Sequence, residues 1–289
     1  MSWEPLKQSL AVFDDVVRQL RVRIADDAPV FPQLDLVRRF LADHTELGED
    51  ELLEKWNGED FKEFHDAAIV VRRLTDAVVA LQNQSEGELR RRLKQVLSGP
   101  LTQDFVPEQS KDFFYELEIA HLLLQAGFDV SLREPDIVVS GNGLDAPLGL
   151  ACKYPSSESQ IHAHLSKGYK QIANQNLEGC VVIGLDLIVF KTVFDSPPKY
   201  LDFREGDRHP LDVANGCVSD AVKHLVVQRS EDYPSERPMD GAILTLSMWG
   251  AYGKPAGLTC VTAWAVQCDA ANPRFNDIGR LVKAAQQVS

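Results

Sequence analysis

Three residues in the middle of the chain have types and spacing suited to joint chemistry: Glu116 in FFYELEIA, Asp136 in EPDIVV and Lys153 in LACKYPSS. Asp136 opens one apolar run and Lys153 closes the next. If those runs are antiparallel strands joined by a loop, both side chains reach one sheet edge. A carboxylate there can hold Mg2+, a hard cation that takes oxygen ligands. Such an ion polarises a phosphoryl oxygen and lowers the pKa of a bound water. A neighbouring lysine orients that water and offsets charge building on phosphorus. Glu116 lies beside the apolar positions Phe113, Leu117 and Ala120 of a predicted helix, so it can supply a second carboxylate at the same edge. Glu118 is turned away from that stripe. Taken singly, each residue has an ordinary reading: a turn end, a solvated helix face, an exposed strand end. The chemistry rests on all three standing in order on suitable elements.

Those elements are legible from hydrophobic periodicity. Leu6, Leu10, Phe13, Val17, Leu20 and Ile24 recur at helical spacing over 6–24. Two prolines break the pattern in ADDAPVFPQL, and helical patterns resume at 35–43, 49–56, 59–82 and 86–97. No strand-like alternation precedes residue 127, so the first hundred residues read as all-helical. PLTQDFVPEQ, 100–109, is the predicted joint, giving a helical region over 1–105 and an α/β domain over 106–289. Ser110 is expected to cap the next helix and Gly127 to end it. Strands are expected at 128–132, 136–140 and 148–154, followed by a helix from Ser156 or Ser157 to about Asn176. The apolar run GCVVIGLDLIVF reads as one long strand over 179–190. A helical piece follows at 211–228. AILTLSMW and LTCVTAWAV read as a hairpin around GAYGKPAG, and NDIGRLVKAAQQ as a closing helix.

Composition sets the class. A hydrophobic share of 44% and a charged share of 25% are those of a globular protein, and 289 residues can bury a substantial core. No apolar run approaches the roughly 18 residues that cross a membrane. Acids in MSWEPLKQSLAVFDD argue against a signal peptide. Five cysteines without a CxxC pair read as reduced thiols in a cytoplasmic protein. The net charge of −13 is spread over the chain, −7 in 1–108 (14 basic, 21 acidic) and −6 in 109–289 (16 basic, 22 acidic). That balance argues against tight non-specific nucleic-acid binding, which runs on phosphate neutralisation, but permits a local basic groove or a partner that delivers the substrate.

Over residues 110–190 the chain resembles the PD-(D/E)XK, or restriction-endonuclease-like, nucleases. The resemblance is carried by FYELEIAHLLLQAGF, by EPD and by ACKYPSS, each on the expected element of a helix, strand, strand, strand, helix, strand order. It implies a mixed β-sheet core flanked by helices, and metal-dependent phosphodiester hydrolysis, of DNA by preference, in restriction or phage defence. It implies Mg2+, with Mn2+ as a substitute, held by Asp136, Glu116 and the backbone carbonyl of Cys152. Lys153 would position the water. A partner such as a motor subunit, or a second copy of the chain, would complete the assembly.

The sequence departs from the family at two positions. The acid expected two residues before the lysine is Ala151, which has no side-chain oxygen. Three explanations compete: an engineered inactive form whose natural residue is glutamate, a natural pseudonuclease that binds nucleic acid or a partner, or migration of the acid to Asp145 or Glu158. The first fits an otherwise intact site best. Tyr154 stands where a basic residue often follows the lysine, which puts a phosphate contact in doubt.

Secondary signals surround this core. Gln160, His164, Lys167 and Gln171 recur along one flank of the predicted helix after the lysine; Gln160, Lys167 and Gln171 are the expected substrate contacts. His162 and His164 diverge on a helix and make a poor metal pair. ELRRRLKQ, with Arg90, Arg91, Arg92 and Lys94, is the densest positive cluster, and reads either as a solvated face or as a contact for nucleic acid or an acidic partner. No GxxxxGK[ST], GxSxG or HExxH occurs.

Overall fold

In the computed structural model the described residues are 3–24, 27–84, 86–101, 109–193, 201–202, 209–232, 241–252, 257–268 and 274–288. Five helices come first: α1 (Glu4–Gln19), α2 (Phe31–Glu46), α3 (Glu49–Lys55), α4 (Gly58–Ala80) and α5 (Glu86–Ser98). Leu6, Leu10, Phe13 and Val17 bury one face of α1 against α4. Helix α2 packs on α4 as well, and Phe40 stacks on Phe64 between them, with Trp3 edge-on to both rings. Among the described residues, the all-helical reading of this region holds.

Helix α6 (Gln109–Gln125) joins the two kinds of structure. It packs against α4 and α5 on one side and against the strands β1 (Asp129–Arg133), β2 (Asp136–Ser140) and β3 (Leu148–Lys153) on the other. One continuous core therefore runs from Phe13 and Leu74 through Leu117 to Leu150 and Val182. Residues 102–108, most of the expected joint, lie outside the described residues. Gly127, at φ +85°, ends the helix as expected. Ser110 does not cap it. It lies inside the first turn, buried, and its hydroxyl donates to the carbonyl of Pro100 at 3.0 Å.

Strands β1, β2 and β3 form an antiparallel meander. Helix α7 (Glu158–Asn174) then crosses over to β4 (Gly179–Gly184), which lies parallel to β3. Next come α8 (Asp186–Val193), β5 (Leu201–Asp202), α9 (Pro210–Asp232), β6 (Ala242–Tyr252), β7 (Gly257–Gln267) and α10 (Phe275–Ala285). The sheet runs β1-β2-β3-β4-β6-β7, with short β5 on the same edge of β6 as β4; seven strands are seen among the described residues. This is an α/β protein with a mixed open sheet. The hairpin and the closing helix stand where expected; residues 253–256 of its turn lie outside the described residues.

One expected strand is overturned. The run 179–190 splits at Leu185 into β4 and α8. Asp186 is the reason: its carboxylate accepts the backbone N–H of Ser247 at 3.2 Å, and the four residues after it, Leu187 to Phe190, are all buried. An apolar run buried on every side does not declare helix or strand by periodicity alone.

Alternation along β3 sorts its side chains to two cores. Leu148, Leu150 and Cys152 join the α6 side. Ala151 joins the α7 side with Ile161, Leu165 and Val181.

Candidate functional site

The site is built where β2 begins and β3 ends. Ile137 pairs with Leu150, so Asp136, one residue earlier, comes opposite Ala151 and shares its face. Two residues along β3, Lys153 returns to that face. Its Nζ donates to Asp136 Oδ2 at 3.0 Å and to the carbonyl oxygen of its neighbour Cys152 at 2.8 Å. The backbone N–H of Cys152 donates to the same carboxylate oxygen at 2.8 Å. The other oxygen, Oδ1, accepts from Gln171 Nε2 on α7 at 2.9 Å. Asp136 is buried, and desolvation raises its pKa against the opposing pull of Lys153, Cys152 N–H and Gln171.

Glu116 reaches the same edge from α6. It is buried, and burial, reinforced by the charge of Asp136, lifts its carboxyl to about 7. Arg92 opposes that lift. This arginine, 1% exposed, donates through Nε to Glu116 Oε2 at 2.8 Å, through Nη1 to Glu88 at 2.5 Å and through Nη2 to the carbonyl oxygen of Asp136 at 2.7 Å. The expected trio of Glu116, Asp136 and Lys153 is thus brought together, with Ala151 beside it.

Two members were missed. Arg92 is no part of a solvated face, although Arg91 beside it is exposed; the signal was there, because Arg92 shares the helical stripe of Leu89, Leu93 and Val96. Asp112 lies four residues before Glu116 on α6, which places both on one helix face. Burial lifts Asp112 to about 6, while the ammoniums of Lys153 and Lys167 pull the other way.

The other expected contacts divide. Gln171 is spent on the protein itself: besides Asp136 it donates to the Pro135 carbonyl oxygen and to Glu134. Its own Oε1 is buried with no partner. Gln160 Oε1 accepts the backbone N–H and hydroxyl of Ser156, closing the first turn of α7. Lys167 is exposed. Tyr154 packs against Tyr115 at 5.1 Å between ring centroids, so the position after the lysine serves packing.

The donors present do not suit a divalent cation in this chain. Both oxygens of Asp136 and the Cys152 carbonyl already accept hydrogen bonds, Glu116 is tied to Arg92, and Ala151 offers no oxygen. Among the described residues no group of three or more His, Cys, Asp or Glu is placed to hold a metal ion. The Lys153 ammonium instead bridges two of the expected ligands.

Comparison with protein-family models, with curated proteins and with solved structures finds no match. No helix among the described residues is long and apolar enough to cross a membrane.

Proposed function

We propose that the chain is a disarmed metal-dependent nuclease of the PD-(D/E)XK type, acting on DNA in restriction or phage defence. One observation carries the reading: Asp136, Ala151 and Lys153 share a face at one sheet edge, and Glu116 and Asp112 reach the same edge from α6. The order of elements, an antiparallel meander followed by a helical crossover to a parallel strand, supports the same family. A glutamate at 151 would set a second carboxylate beside Asp136 on that face, the oxygen-rich set that Mg2+ or Mn2+ requires. A partner protein or a second copy would bring the acidic chain to its substrate.

A second reading has its own support. Ala151 is fully buried and packs close to Gly168, and the Lys153 ammonium is satisfied without a metal. An edge so complete suits a pseudonuclease that holds nucleic acid or a protein.

The test compares this chain with Ala151→Glu in cleavage of plasmid DNA, with RNA alongside, in Mg2+ and in Mn2+. The nuclease reading expects cleavage by the glutamate form alone. Failure of both forms on every substrate and with either ion, with nucleic acid retained in a gel shift, establishes the binding module instead.

A further inference from the structure

On the far side of α6 lies a cavity of about 390 Å3 that the chemistry above does not use. Tyr115, Glu118, Ile119 and Leu122 of α6 form one wall, while α4 supplies Ile69, Arg72, Arg73 and Asp76. Its floor is the hairpin, at Ser247 and Thr262. This volume falls within the range of small-molecule sites, and the mixture of apolar walls with a few convergent polar groups is what such sites show.

The charges cancel within the wall. Arg73 clasps both carboxylate oxygens of Glu118, with Nη2 to Oε2 at 2.7 Å. Arg72 faces Asp76 at 3.5 Å, and Asp76 also accepts the hydroxyl of Ser9 at 2.8 Å. An ionic ligand reaching the inner wall would have to break the Arg73–Glu118 pair, only 11% and 14% exposed, and leave an uncompensated charge, while the outer, more exposed Arg72 is already paired with Asp76.

The Tyr115 hydroxyl is already hydrogen-bonded to that of Thr245 at 2.6 Å, and the remaining polar groups each donate and accept. They are the imidazole of His121, which burial holds toward its neutral form, the amide of exposed Gln125, and the hydroxyls of Ser247 and Thr262, 3.1 Å apart. Ile69, Ile119 and Leu122 offer apolar surface between them. A ligand matched to this lining is uncharged, has an apolar face and carries interleaved donors and acceptors along its edge.

We infer that this cavity binds a neutral nitrogen heterocycle of the nucleobase class, as a free base or nucleoside. The site is independent of any hydrolysis at the Asp136–Lys153 edge, but α6 borders both: Glu116 points to one and its neighbour Tyr115 lines the other.

The experiment is calorimetric titration of the full chain with adenosine, guanosine, cytidine and uridine, against ribose 5-phosphate and indole as the anionic and the purely apolar control. At least one nucleoside should bind and raise the melting temperature, with both controls silent. Gln125→Ala, at an exposed position, should weaken binding about tenfold, the loss of roughly one hydrogen bond. Leu122→Trp should fill the cavity and abolish binding, while Arg18→Ala, at an exposed position away from the cavity, should leave it unchanged. No binding of any nucleoside at millimolar concentration overturns the inference. So does binding of ribose 5-phosphate or indole as tight as that of the best nucleoside, or binding that Gln125→Ala leaves intact.

Discussion

Lys153 and Asp136 form a salt bridge at 3.0 Å with side chains only 11% and 10% exposed. Removing one partner from such a pair strands the other charge in the protein, which costs about 3–5 kcal/mol. Asp136→Asn and Lys153→Met should each lower stability to urea by that order. The double variant should lose clearly less than the sum of the two, because neither charge is then left behind. Additive losses would show that the pair contributes no coupling.

The divalent-cation prediction has a readout apart from cleavage. The chain with Ala151 should give no saturable Mn2+ signal by electron paramagnetic resonance at 1:1 stoichiometry. Ala151→Glu should give one, and Ala151→Gln, which adds bulk without charge, should not. Equal Mn2+ binding by the alanine and glutamate forms would place the ion elsewhere.

Gly168 lets α7 lie close to the sheet. A Cβ built there comes within 2.7 and 2.9 Å of the Val181 methyls and 3.3 Å of Ala151 Cβ. Gly168→Ala should therefore cost about 1–3 kcal/mol by overpacking, despite the better helix propensity of alanine. Part of the loss should return in the Gly168→Ala, Val181→Ala double variant. A neutral or stabilising Gly168→Ala would mean that α7 sits farther from β4.

Asp186 is fully buried, and burial lifts its carboxyl from 3.8 to about 7. Between those values the folded chain keeps a proton that the unfolded chain has lost, so stability falls as pH rises through that window. The cost is complete above about pH 7 and absent below about pH 4. Asp186→Asn keeps an acceptor for the Ser247 N–H and removes the ionisation. It should stabilise the chain at pH 8 by on the order of 2–4 kcal/mol, with the gain shrinking toward zero near pH 4. Denaturation curves of both proteins across this range decide it; a gain independent of pH would refute the assignment.

Much of the fold was legible because several helices carry one apolar stripe and the buried strands are short apolar runs. The α1 stripe of Leu6, Leu10, Phe13 and Val17 could be read from spacing, and the strand Asp136–Ser140, buried at its first four positions, from a short apolar run bounded by Pro135 and Gly141. The break at Leu185 could not, because both halves of that run are buried and only a tertiary hydrogen bond to Asp186 separates them. At the site, Glu116, Asp136 and Lys153 stood out by type and order. Arg92 was hidden inside a run of basic residues, whose usual place is the surface. Asp112 was hidden because the burial that lifts its carboxyl, and the opposing approach of Lys153 and Lys167, arise only in the folded chain. Gln171 was correctly placed on the site-facing flank of α7, yet its amide is spent on the protein rather than held open for a substrate.

Arg92 is the second buried hub. Arg92→Met should cost about 3–5 kcal/mol, because Glu116 and Glu88 then lose a buried counter-charge, whereas Arg91→Ala at the exposed neighbour should stay within about 0.5 kcal/mol. Equal effects of the two would return the whole basic run to the surface.

Two of the three bonds of Arg92 cross from α5, in the first hundred residues, to Glu116 on α6 and Asp136 on β2, while the third stays within α5 at Glu88. The two parts of the chain are therefore not interchangeable modules. A fragment beginning at residue 106 would carry Glu116, Asp136 and Lys153 and yet lack the cation that compensates one of them. Grafting this edge onto another helical partner would succeed only if that partner brought its own guanidinium to the same spot. The helical region and the sheet can be exchanged, shortened or recombined only together.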